Sequence, residues 1–333
     1  MWPDVKDSLK NIIQPYERYF SQPHFPIDIN KVFGLNWRIP HCGILPAKAD
    51  QEYYRRVLPT QQGERGMKIL AIMGSPKGKG SGYKIVKMIG DRMIAKGDVE
   101  FEYLFLKDAN LKPCTGCYIC MTKGEDKCPL KDDRALIEQE LMAADGVILS
   151  SPVYVDNVSW LMKTFIDRFA YTNHRPCFHR QKVLTVANTG VAGQKETLSA
   201  LKKALGGQRI SRIAHELAIA TPPWPQTERA VARKERAIDA AADKFYKACL
   251  DTALTEPTFS NYLNFLMMQK LSLECRQYLP ADYAFYNGKA YYFDARVNPI
   301  KAAAAKAIVR IMITFMKDIG PGHIPWPAAK KEE

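Results

Sequence analysis

Between residues 67 and 250, five short apolar runs alternate with five longer segments of helical spacing, and no other feature of the chain limits its folds so tightly. The runs are Met67–Met73 (MKILAIM), Val99–Leu106, Gly146–Ser151, Lys182–Asn188 and Ile210–Ala220. The helical segments are Gly80–Ala95, Asp132–Ala144, Val158–Tyr171, Lys195–Leu205 and Glu228–Leu250, with Asp132 and Asp133 suited by charge to a helix N-terminus. Strict strand–helix alternation predicts parallel strands with helices packed on both faces, a doubly wound five-stranded α/β sheet. Such sheets bind ligands at the carboxyl ends of their strands, where the strand order reverses.

The flanks break the pattern. Residues 1–66 read as an N-terminal arm: a short helical pattern (Val5, Leu9, Ile12, Ile13), Pro-interrupted sequence, and a second short helix near Ala49–Val57. Cys42 beside His41 reads as an ordinary thiol. Residues 251–333 read as a C-terminal helical extension, with helices at Phe259–Leu279 and Lys301–Ile319 around an aromatic stretch, Tyr283–Phe293. Their apolar positions exceed one stripe, which predicts burial on two sides and a homodimer or homotetramer. With 47% hydrophobic and 25% charged residues, the 333-residue chain has the material for a core and is not a disordered sequence. It contains no apolar stretch long enough to span a membrane, and its first residues lack the basic and apolar regions of a signal peptide, so it reads as cytoplasmic.

The net charge of +13 is concentrated in residues 67–250, which hold 29 Lys and Arg against 20 Asp and Glu. A basic field there attracts phosphorylated ligands. No helix-turn-helix, zinc finger or RNP-like motif points to nucleic acid. Four of the eight cysteines fall between Cys114 and Cys128, a clustering that points to metal rather than to a secreted disulfide framework.

Four segments carry chemistry. The first strand runs into Gly74-Ser75-Pro76-Lys77-Gly78-Lys79-Gly80-Ser81-Gly82-Tyr83 and then a helix, which offers a phosphate backbone N–H groups, two hydroxyls and two lysines; a purely structural turn is the alternative. The spacing is neither Walker A nor the dinucleotide fingerprint. Cys114, Cys117, Cys120 and Cys128 are spaced C-x2-C-x2-C-x7-C, with Pro129 following. Three thiolates at successive x2 gaps wrap one corner of an iron–sulfur cluster, whereas zinc usually takes two separated pairs. Zinc, free thiols and a redox-labile disulfide remain as alternatives. The third strand ends in Ser150-Ser151-Pro152-Val153-Tyr154, before a helix carrying Lys163, Asp167 and Arg168. A strand-end loop with an aromatic residue suits a planar ring; the helix charges read as surface or interface ion pairs. After the fourth strand, Thr189-Gly190-Val191-Ala192-Gly193 permits close backbone approach to a ligand.

Jointly these segments resemble the flavodoxin-like NAD(P)H-dependent FMN reductase superfamily, and within it the iron–sulfur flavoprotein branch, over roughly residues 67–220. The resemblance rests on GSPKGKGSG, on the cysteine run followed by Lys131-Asp132-Asp133, on SPVY, and on the helix of Lys163, Asp167 and Arg168. It implies a flavodoxin-like fold with non-covalent FMN, its phosphate on Ser75, Lys77, Ser81, Gly82 and Tyr83. The ring would lie against Pro152, Val153, Tyr154, Thr189, Gly190 and Gly193, with Tyr154 the residue beside it. In the branch resembled, four cysteines so arranged hold a 4Fe–4S cluster. The chain departs from the family where Gly80-Ser81-Gly82 replaces the usual Gly-Asn-Thr, and in its long last cysteine gap. The resulting expectation is an oxidoreductase. Electrons would come from NAD(P)H, or from a ferredoxin-type donor through the cluster, and go to a small-molecule acceptor such as a quinone. The alternatives are a non-enzymatic electron carrier, against which the basic core argues, and a redox- or metal-sensing binding protein.

Overall fold

The computed structural model describes residues 66–209, 212–254 and 256–315. The expected arm, with His41 and Cys42, and the end of the Lys301–Ile319 segment lie outside the described residues.

Five parallel strands form one sheet: β1 (Met67–Met73), β2 (Val99–Phe105), β3 (Gly146–Pro152), β4 (Lys182–Thr189) and β5 (Arg212–Ala220), in the order β2-β1-β3-β4-β5. Between them run α1 (Ser81–Ile94), the short α2 (Ile119–Thr122), α3 (Arg134–Ala143), α4 (Trp160–Arg168) and α5 (Gln194–Lys202), and after them α6 (Glu228–Leu250). This is the expected flavodoxin-like α/β sheet, and the strand order reverses between β1 and β3. Strand side chains alternate with period 2. In β1, Ile69, Ala71 and Met73 meet Ile85 and Ile89 of α1 and Phe245 of α6 on one face. Leu70 and Ile72 meet Leu141 of α3 and Phe165 of α4 on the other. Phe165 and Phe245 are completely buried; truncating either to Ala costs about 3–5 kcal/mol.

Beyond the sheet lie α7 (Phe259–Glu274), α8 (Pro280–Tyr286) and α9 (Pro299–Phe315), with a hydrophobic cluster of their own built on Phe265, Tyr286, Tyr291 and Tyr292. The expected helix Phe259–Leu279 stops at Glu274. Pro280 disfavours helical backbone at Leu279 (φ −122°, ψ 54°) and sits itself at the start of α8, where its missing N–H costs nothing. Among the described residues no helix is long and apolar enough to cross a membrane.

Candidate functional site

The loop between β1 and α1 is folded by its own short-range bonds. Ser75 is buried; its Oγ accepts from Lys77 N–H (3.3 Å) and its carbonyl from Gly78 N–H (3.1 Å). Gly78 has φ +63°, a left-handed value that only glycine adopts freely. The N-cap residue of α1, Gly80, makes no side-chain cap, and the first turn holds no acidic residue. The helix therefore presents N–H groups and the positive end of its dipole without an internal anion to neutralise them. Lys77, Lys79 and Ser81 are exposed around it, and Lys79 Nζ lies 5.9 Å from the ring centroid of Tyr83. Gly82 is buried: a Cβ there would come within 2.9 Å of Asn188 Oδ1 and 3.6 Å of Ser150 Oγ. The ends of β1, β3 and β4 thus converge on the first turn of α1, at the reversal of strand order.

After β3, Val153 N–H donates to the Asn188 carbonyl (2.9 Å), and Tyr154 and Asn157 exchange two backbone hydrogen bonds (2.9 and 3.0 Å). The two residues between them, Val155 and Asp156, have φ of 50° and 56°, left-handed values that an Asp tolerates and a β-branched residue strongly disfavours. Such strain is held by surrounding structure and gathers at ligand-binding loops. Tyr154 and Val155 are exposed. The loop after β4 packs on this turn, since a Cβ at Gly193 (φ +83°) would overlap Asp156 and Val153. Space beside Gly190 is open. The residues expected around FMN thus lie at three neighbouring strand ends and on the first turn of α1, where Tyr83 packs against Tyr103 and Phe105 of β2. A terminal phosphate beside a planar ring fits this cradle, whose helix N-terminus is anion-free and whose rim is open at Gly190.

The cysteine run lies between β2 and α3. Cys114, Cys117, Cys120 and Cys128 line one surface recess together with Tyr118, Glu125, Asp167 and Arg168, and all four are free thiols. Burial pushes the Cys120 thiol up, its neighbours Cys114 and Cys128 push it the same way, and Arg175 opposes them. Four thiols in one recess are the donor set of an iron–sulfur cluster. Among the described residues no three His, Cys, Asp or Glu side chains are drawn into a metal-binding group, so the recess presents its donors without gathering them.

Three buried arginines fix the walls of this recess. Arg168 forks its Nη2 to Asp132 (2.7 and 2.9 Å), and its Nη1 donates to Cys128 Sγ (3.3 Å). Arg134 donates to Glu138 (2.7 Å) and to the Glu125 carbonyl (3.3 Å). Arg175 donates to the carbonyls of Cys120 and Met121 and to Glu125 Oε2 (2.9 Å). The surface reading of the α4 charges holds for Lys163 and Asp167, an exposed i,i+4 pair at 2.5 Å, and fails for Arg168. A signal for it exists in the sequence: with Leu161 and Phe165, position 168 continues the i, i+4, i+7 apolar stripe of α4. Asp132 and Asp133 stand at the N-terminus of α3 as expected, and Asp132 Oδ1 accepts from Arg134 N–H (3.3 Å) at its first residue. Asp133, the N-cap residue of α3, makes no cap, and its Oδ2 instead accepts from Asn110 N–H (2.8 Å). Asp132 accepts from Lys112 N–H (3.0 Å) and Arg168, closing the base of the cysteine loop.

Residues 67–222 match the NADPH-dependent FMN reductase family. An iron–sulfur flavoprotein of Methanocaldococcus jannaschii is 40% identical over 102 residues, 31% of this chain and 51% of that protein. One of Methanosarcina thermophila is 30% identical over 140 residues, 40% of this chain and 71% of that protein. The chain spans about half the length of the first curated relatives it matches. A solved flavone reductase aligns with a TM-score of 0.44 at 16% identity, over 57% of this chain and 66% of that one. The chain belongs to the flavodoxin-like FMN reductase family, in its iron–sulfur flavoprotein branch.

Proposed function

We propose that this protein is an FMN-dependent oxidoreductase whose electrons arrive from NAD(P)H, or from a ferredoxin-type protein through a 4Fe–4S cluster, and leave to a small acceptor such as a quinone. Bound FMN would supply both hydride and single-electron chemistry. Ser75, Lys77, Ser81, Gly82 and Tyr83 hold the phosphate through the loop and the first turn of α1. Pro152, Val153, Tyr154, Thr189, Gly190 and Gly193 flank the ring, and Tyr154 limits access to its open side. Cys114, Cys117, Cys120 and Cys128 are the cluster ligands. The exposure of Cys114, Cys117 and Tyr118 supports delivery by a protein donor at that face.

The observation that carries the reading is that one helix joins the two sites. At the start of α4, Ser159 Oγ donates to the Gly74 carbonyl beside the phosphate loop (2.5 Å); at its end, Arg168 donates to Cys128 Sγ. From Ser159 to Arg168 is nine residues along the helix, about 14 Å at 1.5 Å per residue, so both centres sit on one rigid strut.

The test is anaerobic purification, reconstitution with iron and sulfide, and three readings: chromatography of the released flavin, iron and sulfide content, and steady-state oxidation of NADH or NADPH with a quinone. FMN, iron and sulfide in stoichiometric amounts and acceptor-dependent turnover are expected. FAD, or no flavin, would sink the flavin site; no iron after reconstitution would sink the cluster. Flavin reduction by a reduced ferredoxin but by neither nicotinamide would assign the donor to a protein.

A further inference from the structure

The helices beyond the sheet lie against the cysteine recess, where α8 packs beside α2, and one buried carboxylate ties the two together. Asp282, on α8, is completely buried and pairs with Nη1 of Arg175. The same guanidinium donates to the carbonyls of Cys120 and Met121 and to Glu125. The other oxygen of Asp282 lies 2.7 Å from Nδ1 of His174, whose carbonyl accepts from Tyr286 Oη (2.5 Å). A buried carboxylate is tolerated only when paired and hydrogen-bonded, and an arginine fork holds its partners in fixed directions. Residues 280–286 lie outside the matched 67–222 segment, so this tie is an addition to the family core.

From this we infer that Asp282 is a positioning residue for the cysteine loop: through Arg175 it fixes the backbone at Cys120 and Met121, and so the C-terminal helices set the shape of the recess. For iron binding the inference rests on the four-cysteine reading; for loop order it does not. Arg175 is the relay because its guanidinium touches both Asp282 and the Cys120 carbonyl. Burial alone would weaken its charge, while Glu125 and Asp282 outweigh that and hold it protonated.

The experiment compares wild type, Asp282→Asn and Tyr286→Phe in the full chain. Tyr286→Phe removes a different tie of α8, the hydrogen bond to the His174 carbonyl, without touching Arg175, and so controls for simple loosening of the helix. Hydrogen exchange on the metal-free protein should accelerate at least tenfold over residues 118–128 in Asp282→Asn and stay near wild type in Tyr286→Phe. After reconstitution, Asp282→Asn should lose iron to a chelator at least several times faster, with FMN content unchanged. Asp282→Glu should recover part of both effects. Acceleration confined to residues 259–309, or equal in the two variants, would overturn the inference, since Asp282 would then merely hold its own helix. Should wild type itself hold no iron, the cluster reading fails while the exchange measurement still decides whether Asp282 orders the loop.

Discussion

At the scale of single residues, Arg168 does most to define the cysteine recess. Its side chain and that of Asp132 are almost fully withdrawn from water, at 2% and 1% exposure. Removing one partner of such a pair strands a buried charge, a loss of about 3–5 kcal/mol, whereas replacing both by apolar side chains is often near neutral. Arg168→Ala should therefore lower stability to denaturant by about that amount, and Arg168→Met with Asp132→Leu should regain most of it. Equal stabilities in the two variants would show that the pair is not buried in solution. Where the cluster is built, both variants should shift its reduction potential downward, because the N–H···S bond to Cys128 favours the more negative, reduced state. Cys249 is a contrasting thiol: burial, with Asp145 nearby, pushes it up to about 12, so it stays protonated and inert. Replacing Cys114, Cys117, Cys120 or Cys128 by Ala should remove iron and sulfide together, whereas Cys249→Ala should retain both.

Among the elements, the turn from Tyr154 to Asn157 departs furthest from relaxed backbone. Left-handed backbone costs an L-residue about 1–2 kcal/mol, and Val155, fully exposed, has no packing to offset it. Val155→Asn keeps the turn and tolerates the conformation, so thermal unfolding should report a gain of about 1 kcal/mol. A lower melting temperature would mean that the turn is not left-handed at that position. This turn was not legible in SPVYVDN, because Val155 argues against the conformation it adopts; only the packing of Gly193 on Asp156 explains it. The strands, by contrast, were legible nearly to the residue: the central β1, β3 and β4 are buried along most of their length and read as mainly apolar runs, while the edge strands β2 and β5 are partly exposed and mix apolar with charged residues. The turn between β1 and α1 was legible because a run rich in glycine marks a loop for local reasons. Arg168 and Arg175 were not legible as buried because their carboxylate partners Asp132 and Asp282 lie 36 and 107 residues away, whereas Arg134 has Glu138 one turn on, a pair that reads equally well as a surface one.

For the molecule as a whole, the question is how firmly the helices beyond the sheet dock. Leu273, Tyr278 and Ile300 of that region stay exposed, more apolar surface than one isolated unit needs, and light scattering should report a dimer or larger species. A monomer at micromolar concentration would contradict this. Docking within one chain rests partly on His179, whose ring packs against Tyr292 and Phe293 at centroid distances of 6.5 and 5.2 Å, with Nδ1 buried and unpartnered. Burial, then Lys289 and Arg180, push its pKa down from 6.5 to about 3. Unfolded, this imidazole binds a proton below pH 6.5; folded, it does not until about pH 3. The unfolded state therefore holds the extra proton across that window, and stability falls with acid. His179 contributes its full share above pH 6.5 and loses it at up to about 1.4 kcal/mol per unit as pH drops toward 3. His179→Phe keeps an aromatic ring against Tyr292 and Phe293 and removes the proton site. Hydrogen exchange over residues 259–309 should rise steeply between pH 6 and 4 in wild type, after correction for intrinsic rates, and more gently in His179→Phe. The same slope in both would show that protonation elsewhere, not at His179, releases these helices in acid.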